Sequence, residues 1–109
     1  MQNIFECFQG NNGKEITEEL FRLKEGRVAR IISTGQKSAP GFWYEEKEDE
    51  WVIVLLGEGE IEWPDGRRKF LKAGDWLFLP ALEKHRVAYT SACPPCVWLA
   101  VYGKEIEHV

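Results

Sequence analysis

The sequence predicts an all-β domain, a barrel of short strands preceded by one short helix. Three observations carry this. From Val28 onward, short apolar or alternating runs recur at close and regular spacing, and clusters of Gly, Pro and Asp separate them. Only one segment, ahead of Val28, carries a helical period.

The 109 residues suit one domain around one core, here 1–109 with a barrel core at about 28–102 and an N-terminal extension at 1–27. The extension opens on polar residues, Gly10 to Gly13. The run EITEELFRLKEG then places Ile16, Leu20 and Leu23 on one face of a helix ended by Gly26. Strands are expected at 28–34, 42–46, 50–56, 59–63, 67–71, 76–79, 86–90 and 97–102. Pro64-Asp65-Gly66 joins two of them as a hairpin, and Lys72-Ala73-Gly74-Asp75 supplies a second turn. The prolines of Cys93-Pro94-Pro95-Cys96 bar a central strand and make a rigid surface turn. The runs Trp51 to Leu56 and Trp76 to Leu79 are apolar on both faces, which suits a strand covered by the core on one side and by another layer or a second subunit on the other. A homodimer is therefore expected.

Composition narrows the function. An apolar fraction of 44% with 29% charged residues belongs to a folded chain. With a net charge of -4 and no basic cluster longer than Arg67-Arg68-Lys69, nucleic acid is not an expected partner. No apolar run is long enough to span a bilayer, so no membrane partner is expected either. The start lacks a basic and an apolar signal region, and three cysteines form no disulfide framework, so the expected location is cytoplasmic.

Two stretches resemble the cupin signature motifs. Gly74-Asp75-Trp76-Leu77-Phe78-Leu79-Pro80-Ala81-Leu82-Glu83-Lys84-His85 matches the Gly, Pro and His of the second motif, G-x5-P-x-G-x2-H-x3-N, with Leu82 at its second Gly and Tyr89 at its Asn. Glu50 to Gly57 matches the E-x6-G half of the first motif, G-x5-H-x-H-x3,4-E-x6-G. Its two histidine positions hold Trp43 and Glu45, or Tyr44 and Glu46, according to the spacing taken. The chain thus resembles small single-domain cupins in which an acidic segment replaces the histidines. That resemblance implies a cupin-type jelly-roll barrel (double-stranded β-helix) covering about 28–102, with its site in the barrel mouth.

In a metal-binding cupin, three His and one Glu hold a divalent ion. Here the resemblance leaves His85 and Glu50, with Glu45 or Glu46, as a mixed set for Zn, Mn, Fe or Ni. Residues 46, 48 and 50 share a face in a regular strand, whereas 45 joins Glu50 only through a bulge. Without a metal, His85 is a buried imidazole hydrogen-bonded to a neighbour, and Glu50, abutting an apolar strand, needs a partner or a raised pKa. Among the aromatics, Trp51, Trp76 and Trp98 are expected in the core or an interface, and Trp43, Tyr44 and Tyr102 in a pocket wall. The function expected is small-molecule binding in the barrel mouth without established catalysis. The alternative is a divalent-metal-dependent oxygenase or isomerase.

Overall fold

A computed structural model describes residues 3–6 and 13–107 of the chain; the polar opening at 10–12 and His108 lie outside the described residues. Alternation within the strands decides the layers. In β3 (Asp49–Leu56), Glu50, Val52 and Val54 are buried on one face; in β4 (Glu58–Glu62), Gly59 and Ile61; in β8 (Cys96–Gly103), Cys96, Trp98 and Ala100. These faces meet, and with Leu71 and Leu79 they close a single core. The remaining strands are β1 (Ile16–Leu23), β2 (Gly26–Ser33), β5 (Arg68–Lys72), β6 (Trp76–Leu79) and β7 (Arg86–Thr90). They pair into two antiparallel sheets, ordered β1-β2-β8-β3-β6 and β5-β4-β7, the expected jelly-roll barrel.

The expected N-terminal helix is instead β1, and no helix occurs among the described residues. The pattern that suggested a helix was ambiguous, because positions 16 and 20 share a face at a period of two as well as at 3.6. Pairing resolves it. β1 runs antiparallel to β2 from Ile16 opposite Ile32 to Leu23 opposite Gly26, with an irregularity between Glu19 and Phe21. Tertiary hydrogen bonding thus overrides a short local periodicity. Gly26, read as a helix stop, opens β2, where a Cβ would come within 2.4 Å of the Tyr102 carbonyl oxygen.

The strand expected at 42–46 is also absent as such. Tyr44 alone bridges to His85, donating its N–H to the His85 carbonyl at 2.7 Å and accepting in return at 3.1 Å. Charged neighbours on the following residues leave no apolar face for a longer ladder, and the segment runs as a strap across the barrel mouth.

The turns have the chemistry read from them. Asp65 accepts from the Arg67 N–H and guanidinium at 3.0 and 2.7 Å, and these bonds hold its carboxyl below the usual carboxylate range. Gly57 has φ +75°, and a Cβ there would lie 2.3 Å from the Pro95 carbonyl oxygen. The Cys93 to Cys96 turn therefore lies directly on the β3–β4 corner, where Ser91 and Glu58 also exchange hydrogen bonds. Cys93 is exposed, whereas burial pushes the Cys96 thiol up to about 12. On the outer face of the five-stranded sheet, Trp51 packs against Trp76 at 6.0 Å between ring centroids, and Trp76 is 52% exposed. Trp76 is thus no core residue of the chain.

Leu82 stands where the second motif has its second Gly, and it keeps the glycine conformation, φ +66°, while 62% exposed. A leucine there carries backbone strain that its side chain does not recover by burial. The two positions therefore predict opposite signs in urea denaturation. Gly57→Ala should lose about 2–4 kcal/mol through overlap and left-handed strain. Leu82→Gly should gain up to about 1 kcal/mol, and a loss at that site would contradict the strain.

Candidate functional site

Between the two sheets, at the end closed by the 44–46 strap, lies a cavity of about 180 Å³. Its floor is apolar, made by Val52, Ile61, Leu79 and the Trp98 ring. Trp98, 4% exposed, reaches across to β4, where the Cβ missing from Gly59 would sit 2.4 Å from the ring. A glycine in β4 is thus what lets an indole span the barrel. The Trp98 Nε1–H donates to Ser33 Oγ at 3.3 Å, and the Ser33 hydroxyl donates to Glu15 Oε2 at 2.6 Å. That relay ties the floor to a carboxylate at the rim.

The sequence-derived site residues divide. Tyr44, Glu46, Glu50, His85 and Tyr102 line the cavity. Trp43 does not; its ring lies 5.9 Å from the Arg86 guanidinium instead. Glu45 is exposed and outside the lining, so of the two adjacent glutamates it is Glu46 that turns inward. Glu15 and Thr17 line the cavity without having been singled out in the sequence. Their signal was the alternation of E-I-T at the start of β1, hidden by the helical reading.

His85 is 5% exposed, and its ring is parallel-stacked with Tyr44 at 5.5 Å. Its Nδ1 lies 3.1 Å from the Glu83 carbonyl oxygen. A carbonyl can only accept, so Nδ1 carries the proton, and in the imidazole form the lone pair lies on Nε2. That nitrogen faces Glu50 Oε1 at 3.9 Å, too far for a hydrogen bond. Glu50, 9% exposed, accepts instead from the Tyr102 hydroxyl. Burial, and then the charge of Glu46, push the Glu50 carboxyl up to about 7 despite that bond. Burial likewise raises Tyr102 and Tyr44, with the neighbouring carboxylates adding to it.

A resident metal does not fit these donors. Among the described residues no three His, Cys, Asp or Glu side chains come together as a ligand set. His85 Nε2 and Glu50 face one another, but the positions that would complete three nitrogen donors hold aromatic and acidic residues.

Among the described residues, an eight-stranded jelly roll with a cavity-facing histidine in its mouth defines a small β-barrel protein. Residues 30–102 match the family model described as a cupin domain, and the chain belongs to the cupin family. A solved structure from Ralstonia eutropha JMP134, bearing the provisional name mannose-6-phosphate isomerase, is 41% identical, with a TM-score of 0.89 over 95% of this chain and 97% of that one. A cupin superfamily protein from Desulfitobacterium hafniense DCB-2, at 16% identity, shares the fold with a TM-score of 0.74 over 89% of this chain and 84% of that one. An uncharacterised protein from Aquifex aeolicus (strain VF5) is 29% identical over 103 residues, 83% of each chain. Among the described residues no helix is long and apolar enough to cross a membrane.

The raised Glu50 pKa sets a pH dependence. A carboxyl whose folded value lies above its unfolded one binds its proton more tightly in the native state, so its contribution to stability falls as pH rises from about 4.5 to beyond 7. Glu50→Gln, which cannot ionise, should match the wild type near pH 4 and exceed it at pH 8 by on the order of 3 kcal/mol in chemical denaturation. Equal stability of the two proteins at pH 8 would remove the buried charge from the account.

Proposed function

We propose that this protein binds a small molecule in the barrel mouth and has no catalytic turnover of its own. The observation that carries the reading is the cavity itself, with an apolar floor and a polar wall of Tyr44, Glu46, Glu50, His85 and Tyr102. At about 180 Å³ it is somewhat larger than a cavity that takes benzene, about 150 Å³. It suits a ligand of modest size, held by rings on its faces and by a few polar contacts at one end.

The metal-dependent enzyme is the competing reading and rests on His85 and Glu50 standing at family positions. Its weakness is the donor set, which supplies one imidazole where the family uses three. The sugar-phosphate chemistry in the name of the Ralstonia protein meets a different obstacle. A phosphate dianion would enter beside Glu15, Glu46 and Glu50, and the cavity lining contains no Lys or Arg to receive it.

The test begins with untagged protein incubated with a metabolite extract, washed, and analysed by mass spectrometry for retained small molecules and for bound metal. Wild type should retain a compound that Val87→Trp, which fills the cavity from β7, does not. Metal should be substoichiometric, and added Zn, Mn, Fe or Ni should leave the melting temperature unchanged. Stoichiometric metal that disappears in His85→Ala would replace this reading with the enzyme.

A further inference from the structure

The geometry points to a small organic cation, an ammonium group carried on an apolar or aromatic body, as the class of ligand this cavity takes. The inference rests on the reading that the barrel mouth binds a small molecule and goes further by naming its charge.

Every strong polar group turned into the cavity is an acceptor. Glu50 sits on its wall and Glu46 enters from the strap. Glu15 is fixed at the rim by the hydroxyl of Ser33. His85 adds Nε2, an acceptor in the imidazole tautomer whose Nδ1 proton is directed to the Glu83 carbonyl. Hydroxyl donors are present at Thr17, Tyr44 and Tyr102, but the Tyr102 hydroxyl is directed to Glu50. An ammonium brings several donors and a positive charge and so complements this array, whereas a carboxylate or phosphate would meet acceptors of its own sign.

No Lys or Arg side chain lines the cavity to offset the acidic wall. The nearby guanidinium groups are engaged elsewhere. Arg27 lies over the Tyr102 ring at 4.0 Å but pairs with Glu48. Arg86 donates to Glu62 at 2.9 Å and to the Ser38 carbonyl at 2.8 Å. Lys37 lines an adjoining crevice rather than the cavity. The aromatic members of the wall, Tyr44, Trp98 and Tyr102, are suited to the same ligand, since a desolvated cation is attracted to a ring face. The apolar floor of Val52, Ile61 and Leu79 would take its body.

Three near-isosteric probes isolate the charge: benzylammonium, benzyl alcohol and benzoate, titrated calorimetrically into the full chain at pH 8 and low salt. Benzylammonium should bind tightest and benzoate weakest, with rising salt eroding the difference. Glu15→Gln and Glu46→Gln lie at the rim, where folding is least exposed to their loss. Each should weaken benzylammonium by about tenfold, the scale of one charge-assisted hydrogen bond, and leave benzyl alcohol unchanged. Benzyl alcohol binding as tightly as the cation, or a preference for benzoate, would overturn the cation while leaving the binding cavity standing. If none of the three binds, and Val87→Trp behaves as the wild type toward all of them, the cation and the binding cavity fall together.

Discussion

The placement of Trp98 between the two sheets is the constraint on which the rest of the site depends. An indole buried to 4% exposure must find room for its ring and a partner for its N–H. Gly59 supplies the room by having no side chain, and Ser33 supplies the partner. The ring then sets the depth of the barrel. Above it a cavity remains, and below it the core closes on Cys96, Ala100, Leu71 and Val54. Because Ser33 passes its own hydrogen to Glu15, the packing of the floor also fixes a charge at the rim.

What stands above that floor is unusual for a barrel interior, since the cavity concentrates negative charge with no Lys or Arg in its lining, and only Arg27, itself paired with Glu48, offsets it from outside. Buried carboxylates are ordinarily paired with a cation or protonated. Glu50 has a tyrosine hydroxyl and an imidazole lone pair for neighbours, and its carboxyl responds by holding its proton to about 7. Such a site costs stability, which the fold carries in its sheet pairing and core. Its chemistry is that of an acceptor array in a place of low dielectric, where a complementary donor gains most.

Much of the barrel was legible from residue pattern because its turns are chemically specific. Pro64-Asp65-Gly66 forms the hairpin that its side chains dictate, and Gly57 and Gly74 occupy left-handed conformations that any other residue would adopt with strain. The core face of β3 was not separable in the sequence, because Trp51 to Leu56 is apolar on both faces, and only the burial of Glu50, Val52 and Val54 decides it. β1 was not legible, because Ile16 and Leu20 satisfy both periods and only the pairing with β2 separates them. That error had a local price at the site, where Glu15 and Thr17 were missed. His85, Glu50 and Tyr44 were singled out through motif spacing and Tyr102 as an aromatic residue, and all four line the cavity. Trp43, expected in the pocket wall, lies outside it, because alternation along the strap turns Tyr44 and Glu46 into the cavity and Trp43 and Glu45 away from it.

The electrostatic state of Glu50 joins these threads, and its titration reads that state directly. In protein carrying carbon-13 at the glutamate side chains, with Glu50→Gln identifying the resonance, the Glu50 carboxyl should titrate near 7 in the free protein. With benzylammonium bound it should titrate lower, because a cation in the cavity stabilises the ionised form. A free-protein value near the ordinary carboxylate value of about 4.3, unmoved by the ligand, would contradict a cavity of concentrated negative charge.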